Sequence, residues 1–548
     1  MKTLTWQKPG QQNVAQELIK IIINYVAELR IDISPMRESR TKKSLKNAQV
    51  NLIFYFITLA LSFFSRKIFL DYLGAEFIGL TGTLQNLLGF LNLADLGIGA
   101  SIGYVLYKPI FEKDEKKINE IISVFGFLYR RIGLIILSAG IILSFFLPLI
   151  FKDININLGV VYAVYYGFLA SSLIGYFINY KQTLLGADQR NYVVVGYFQT
   201  ATLIKTLIQM AVAYYSTNYY IWIAIELAFS ILFSIILNIK IKQTYPWLKS
   251  SITEGKVLYK DYDVILKKAK QMFVHVLSSM GRTQILPFLI YAYESLTIVA
   301  YYGNYTIITS KLSSLVKNFL NSTGAGVGNL IAEGNKEKIL EVYWELFTIR
   351  IITASTTAFM VLTMVNPFIK LWLGEEYILP TIIPILMVIN LFMNQTRGAH
   401  EQFLYGYGLF QDTWAPLVTL TLTVSVGLLG GYIWGLPGVL LGDCISAMFL
   451  FVLWKPSFLF KSGFKLPLKV FWINYSQKVI SVIVCMFISW WLLSFIPINV
   501  DSFTNWIVYS IISLILFELL LLSAFYLQFK EMKQIFSRFS NIILKKVC

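Results

Sequence analysis

Ala48 to Leu70 reads AQVNLIFYFITLALSFFSRKIFL, with eighteen uncharged residues in a row before Arg66. At about 1.5 Å of rise per residue, such a run is long enough to cross the hydrocarbon core of a bilayer as a helix. Arg40, Lys42, Lys43 and Lys46 precede it, whereas the segment after it carries Asp71 and Glu76 and no further base before the next apolar run. Basic residues are retained on the cytoplasmic side, so this helix starts inside and leaves outward. Every later helix takes its direction from this one.

The rest of the chain agrees with a membrane setting. Only 14% of the 548 residues are charged, against about 25% in a soluble domain, and the mean hydropathy is +0.63. The formal charge of +17 would suit nucleic acid, but the bases lie between apolar blocks, which is the pattern of membrane topology. Cys444, Cys485 and Cys548 have neither metal-ligand nor disulfide spacing, so no cofactor or metal is expected. The first apolar span begins far from the terminus without a small-residue cleavage pattern, and no cleavable signal peptide is expected.

Apolar blocks predict fourteen spans, at 48–70, 80–107, 123–150, 157–180, 191–215, 218–239, 272–293, 296–320, 342–370, 378–396, 412–434, 437–454, 476–498 and 505–527. The eighth is the weakest, being broken by Asn304, Lys311, Lys317 and Asn318. Of the 47 Lys and Arg, 35 fall in the segments this map puts inside, and one, Lys152, falls in an outer loop. An error of one span in the middle would scramble that partition, so both termini are expected in the cytoplasm.

The resulting plan is an all-α polytopic membrane protein built of two pseudo-equivalent six-helix bundles, 48–239 and 272–454. A basic linker, 240–271, joins them. A cytoplasmic loop, 455–475, leads to two further helices within 476–527, and basic segments 1–47 and 528–548 close the ends. Repetition supports two related halves: Arg66 and Arg282 are 216 residues apart, as are Asp95 and Lys311, and DEKKINEI at 114–121 resembles NKEKILEV at 335–342. Within 1–47, Val14 to Leu29 has the pattern of an interfacial amphipathic helix, or else residues 1–35 are a dispensable extension, since Met36 already precedes a basic leader.

Charges inside spans are costly unless paired or wetted. Arg66 and Lys67 lie near the outer end of their helix and can snorkel, and Arg130 and Arg131 suit contact with headgroups. Arg282 lies some ten mostly uncharged residues from either end, Lys311 is deeper than Lys317, and Asp95 sits mid-span in ADLGIGASIG. Two readings stand side by side: an ion pair of Asp95 with Lys311 or Arg282, and a wet cationic cavity for an anionic substrate. Glu226 answers Lys205 as a structural pair. His275 is either a packed residue or a proton-sensitive one, and His400 either anchors an interface or belongs to a gating loop.

Several classes are excluded. GxxxxGK[ST] is absent, so no nucleotide-hydrolysing engine is encoded, and no TVGYG-like filter occurs. Metal-spaced His/Cys clusters and paired carboxylates in a watery loop are also missing, and the outer loops are too short for a membrane enzyme acting on sugars. The chain is expected to be a transporter, not an enzyme.

The stretch SRTKKSLKNAQVNLIFYFITLALSFFSRKIFLDYLGAEFIGLTGTLQNLLGFLNLADLGIGASI resembles the start of bacterial polysaccharide repeat-unit flippases. These are part of the multidrug/oligosaccharidyl-lipid/polysaccharide exporter superfamily. The matching positions are Arg66, Phe69, Leu73, Gly74, Leu93, Leu96, Gly97, Ile98 and Ala100, and residues 408–446 resemble the family's C-terminal segment. The resemblance runs over about 36–530.

It implies movement of a polyprenyl-pyrophosphate-linked oligosaccharide from the inner to the outer face of the plasma membrane, for capsule, exopolysaccharide or O-antigen assembly. It also implies a cationic central cavity, for which Arg66, Arg282 and Lys311 are the candidates, with Asp95 and His275 as gating or ion-coupling candidates. Membrane lipids, polysaccharide polymerase and assembly proteins, and a coupling cation or proton are the implied partners. The alternatives are an ion-coupled drug or metabolite exporter of the same superfamily, which would want acids in its cavity, and a non-transporting scaffold, which would need no buried bases.

Overall fold

The computed structural model describes residues 40–91, 98–188, 190–262, 277, 281–321, 324–409 and 411–547. Asp95, His275, Val14 to Leu29 and the 1–35 extension lie outside them. Among the described residues all regular structure is helical. The longer helices are α1 (Arg40–Leu73), α2 (Ala75–Leu91), α3 (Ile98–Glu112), α4 (Glu115–Ser144), α5 (Leu158–Phe177), α6 (Asn191–Ser216), α7 (Tyr219–Thr244) and α8 (residues 281–293). They continue as α9 (Leu296–Asn321), α10 (Lys336–Trp372), α11 (Ile382–Gly406), α12 (Trp414–Trp434), α13 (Leu436–Phe464), α14 (Leu468–Leu493), α15 (Phe503–Gln528) and α16 (Lys530–Val547).

Nine of these, among the described residues, are long and apolar enough to cross a membrane: α1 from Gln49, α4, α5, α7, α10, α12, α13, α14 and α15. The chain is an all-α polytopic membrane protein. The helices that miss the criterion include α6, α9 and α11. Asn304, Thr306, Ser310, Lys311 and Lys317 thin the hydropathy of α9, and Asn390, Asn394, Gln395 and Arg397 do the same for α11. Polar groups are tolerated at such depth only where they face other helices or water.

Local chemistry sets the helix ends. Gly74 has φ +84, a left-handed conformation open to glycine at no steric cost, and it separates α1 from α2. Asn218 caps α7 by accepting from Tyr220 N at 2.9 Å and Ile221 N at 3.1 Å, and Asn335 caps α10 by accepting from Lys338 N at 3.1 Å. At Gly435 (φ +61) α12 turns into α13. There the helices touch main chain to main chain: a Cβ on Gly438 would lie 1.9 Å from Gly430 O, and one on Gly442 would lie 2.5 Å from Gly427 N. Small-residue contacts of this kind are how helices associate in lipid, where apolar packing alone gives no preference for protein over tail.

Chain contacts divide the molecule into two units. The first comprises Met1–Ser65, Ile98–Leu137 and Tyr166–Leu266. Its core is built from Ile121, Phe125, Leu185, Val193 and Leu237, none of them more than marginally exposed. The first part of the central basic segment is packed into this unit. Lys249 N donates to Asn119 Oδ1 at 2.6 Å, Ser251 N to Ser123 Oγ at 3.0 Å, and Tyr262 OH to Glu120 Oε2 at 2.9 Å. Burial and the Glu120 carboxylate raise the Tyr262 phenol above its ordinary range, so it stays protonated and keeps donating.

The second unit comprises Arg66–Gly97, Ser138–Tyr165 and Lys267–Cys548. An aromatic core lies where α10, α11, the end of α13 and α14 meet, with Tyr343, Phe347, Phe403, Phe460 and Phe471 buried together. His400 belongs to it: Tyr343 OH and His400 Nδ1 are 3.0 Å apart, and the His400 ring is fully enclosed. His400 is therefore a packed residue and not part of a mobile loop. α16 docks on α10 and α14 through Arg538 Nη2 to Glu345 Oε1 at 3.1 Å and Lys478 Nζ to Glu531 Oε1 at 3.6 Å.

A cationic cavity in the second unit

Within the second unit, α1, α2, α8, α9, α11 and α13 enclose a cavity of about 610 Å³. That volume falls within the range of small-ligand pockets, about 300–1,000 Å³. Among the described residues, four charged side chains line it: Arg66, Arg282, Lys317 and Asp443. Asn86, Asn390, Asn394 and Gln395 add amides.

Arg66 stands on the last two turns of α1. Its Nε donates to Asn304 Oδ1 at 2.6 Å and its Nη2 to Ala300 O at 2.7 Å, both on α9. Gly303 makes room for this, since a Cβ there would lie 2.9 Å from Arg66 Nη2. Among the described residues Arg66 is held by neutral oxygens, and its charge is not cancelled by a carboxylate.

Arg282, on α8, approaches Asp443 on α13, with Nε 2.9 Å from Oδ1. The other carboxylate oxygen, Oδ2, accepts from Asn390 Nδ2 at 2.5 Å, and Asn394 Nδ2 donates in turn to Asn390 Oδ1. The pair is nearly buried, with side-chain exposures of 12% and 14%. Phe451 lies between two guanidinium groups, 5.3 Å from Arg282 and 4.2 Å from Arg397, which is itself paired with Glu401 at 3.6 Å. Gln395 is buried, and among the described residues neither its amide oxygen nor its amide nitrogen has a partner.

Two of the three bases expected in a cavity, Arg66 and Arg282, line it. Lys311 is half-buried on α9 and is not among the lining residues, whereas Lys317, six positions on, is. The lining stripe of α9 passes through Gly303, Thr306, Ser310, Ser313, Ser314 and Lys317. At roughly 100° per residue, Lys311 falls to one side of the stripe's centre. That periodicity was legible in the sequence; depth alone favours Lys311. Asp443 stands out in the sequence as a charge inside a span, but its pairing with Arg282 and the amides of α11 do not, because an acid 161 residues from its base leaves no local pattern.

In the first unit, the expected pair of Lys205 and Glu226 is present, with Nζ 2.6 Å from Oε1. Gln209 Nε2 completes it, donating to Glu226 Oε2 at 3.2 Å. Both charged residues border a cavity of about 380 Å³.

No family model matches the chain, and none of the curated proteins matches it. Solved structures do. The lipid II flippase MurJ in an inward closed conformation superposes with a TM-score of 0.57 at 17% identity, covering 86% of this chain and 98% of that one. An inward-facing multidrug resistance MATE family transporter of the MOP superfamily gives a TM-score of 0.53 at 14% identity, covering 76% and 99%. The chain shares the polytopic helical fold of these two proteins.

Proposed function

We propose that the chain is a flippase for polyprenyl-pyrophosphate-linked oligosaccharide repeat units. It would carry them by alternating access from the inner to the outer face of a bacterial plasma membrane, for the assembly of a surface polysaccharide. The observation that carries this reading is the charge of the cavity: among the described residues, three bases line it against one acid, with Arg66 held by neutral oxygens. An anion in that space meets uncompensated positive charge, and arginine's planar fork suits a phosphate. The amides of Asn86, Asn394 and Gln395 suit a polyhydroxylated headgroup. The lipid II flippase shares the fold, so the architecture accommodates a lipid-linked cargo. A drug exporter for organic cations would want the opposite balance.

The proposal keeps the fourteen-span plan, with two six-helix bundles, two added helices and both termini inside. The deciding experiment is transport of radiolabelled lipid-linked oligosaccharide in proteoliposomes. Wild type is compared with Arg282→Ala, Lys311→Ala and Asp95→Asn, with and without ion gradients. Loss of transport in Arg282→Ala, in protein that is folded and inserted, supports the reading. Unchanged transport in both base-to-alanine variants would mean that the charges are structural.

A further inference from the structure

Asp443 sits in the wrong place for a purely anion-binding cavity. Both of its oxygens are committed, Oδ1 to Arg282 at 2.9 Å and Oδ2 to Asn390 at 2.5 Å, and little of it reaches solvent. The base best placed by depth to grip a phosphate is the same base that neutralises this acid. A diphosphate that takes the Arg282 guanidinium brings negative charge to within contact distance of Asp443 and removes its counter-ion.

Among the described residues, the groups facing the carboxylate offer no substitute. Arg282 faces it from α8 and Tyr302 from α9, and Cys444 is its neighbour on α13. α11 presents the neutral Asn390, while Arg397 on that helix is engaged by Glu401 and the Phe451 ring. Like charges at contact distance in a nearly buried site do not both stay ionised.

We infer, on the flippase reading above, that binding of a diphosphate anion at Arg282 is accompanied by uptake of one proton on Asp443, so that cargo and proton load together. The balance is simple. Arg282 leaves Oδ1, a proton from the aqueous phase bonds to that oxygen, and Asn390 continues to donate to Oδ2. Release of the anion lets Arg282 return, and the proton departs. Coupling is reciprocal: a proton on Asp443 frees Arg282 and strengthens anion binding, just as the anion strengthens proton binding.

The test uses the full chain in lipid nanodiscs and a short-prenyl diphospho-sugar as probe. Its diphosphate is a diester and does not itself titrate near neutral pH. Calorimetry in buffers of different ionisation enthalpy counts protons taken up for each probe bound. Near one proton is expected, with affinity rising about tenfold for each pH unit lowered. Asp443→Asn should bind the probe more tightly at neutral pH, with no proton uptake and no pH slope. Asp443→Glu should keep the slope, and serves if the amide variant does not fold. Probe binding without proton uptake in wild type overturns the coupling and leaves the flippase reading intact. Failure of wild type to bind the probe at any pH overturns both.

Discussion

Two ion pairs of similar burial have their acids at matching places in the two halves of the sequence, and they differ in where the base comes from and in what surrounds them. Glu226 and Asp443 are 217 positions apart, within one of the offset that relates Arg66 to Arg282. Glu226 takes its base from the neighbouring helix of the same hairpin, Lys205 on α6, and Gln209 holds the other oxygen. Asp443 takes its base from far away in the chain, Arg282 on α8. The cavity beside the first pair is lined by one base and one acid, which cancel. The cavity beside the second has three bases for one acid. Burial does not distinguish a structural pair from a working one; the charge left over does.

The sharpest way to break this comparison is to remove one member of each pair. Arg282→Ala leaves Asp443 buried without its counter-ion, and a loss of about 3–5 kcal/mol is expected, with transport abolished. Arg282→Ala combined with Asp443→Asn should recover most of the stability, read by thermal unfolding in detergent, but none of the transport. Recovery of transport in the double variant would make the second pair as structural as the first.

The first pair should behave oppositely. Glu226→Gln alone strands Lys205 and costs a few kcal/mol, whereas replacing both Lys205 and Glu226 by methionine should be near neutral in stability. Transport should stay within about twofold of wild type. If it collapses in a folded double variant, the smaller cavity takes part in transport and the contrast is false.

A milder effect is expected at Arg66. Arg66→Gln removes the uncancelled charge, and probe affinity should fall about tenfold, equivalent to about 1.4 kcal/mol. Smallest of all is the comparison on α9: Lys317→Ala should weaken the probe by a few-fold at low salt, since exposed charges steer and are screened, and Lys311→Ala by less. The reverse order would place Lys311 in the binding path.

Much of the architecture was legible from the chain. Ala48–Leu70 is a helix because nothing in it asks to be anything else, and α1 does run through it, from Arg40 to Leu73. The Leu73-Gly74 turn and the cap at Asn218 are local chemistry, written in adjacent residues. α9 and α11 were harder for a physical reason. A helix that faces a wet cavity must carry polar groups, and those same groups erase the hydropathy by which a span is found. In the site, single buried bases such as Arg282 stand out against an apolar background, but their partners do not. Nothing near Asp443 or Asn390 names Arg282, because the fold alone brings them together. Packing, too, can look like a linker: residues 240–271 read as a basic linker, yet Lys249, Ser251 and Tyr262 within them are hydrogen-bonded to the start of α4.

The glycine contacts between α12 and α13 bear on what insertions this chain can accept. Gly430 and Gly438 face each other with no room for a single carbon, and Gly442 presses on Gly427 one residue before Asp443. One residue added between Gly438 and Asp443 would turn the carboxylate by roughly 100° out of the cavity and pull Gly442 off its seat. One residue added in the exposed stretch 497–501 would change neither. A scan of single-residue insertions should therefore show a sharply intolerant block at 427–443, beside loops that drift freely in length. Over time such a hairpin can change its surface but not its register.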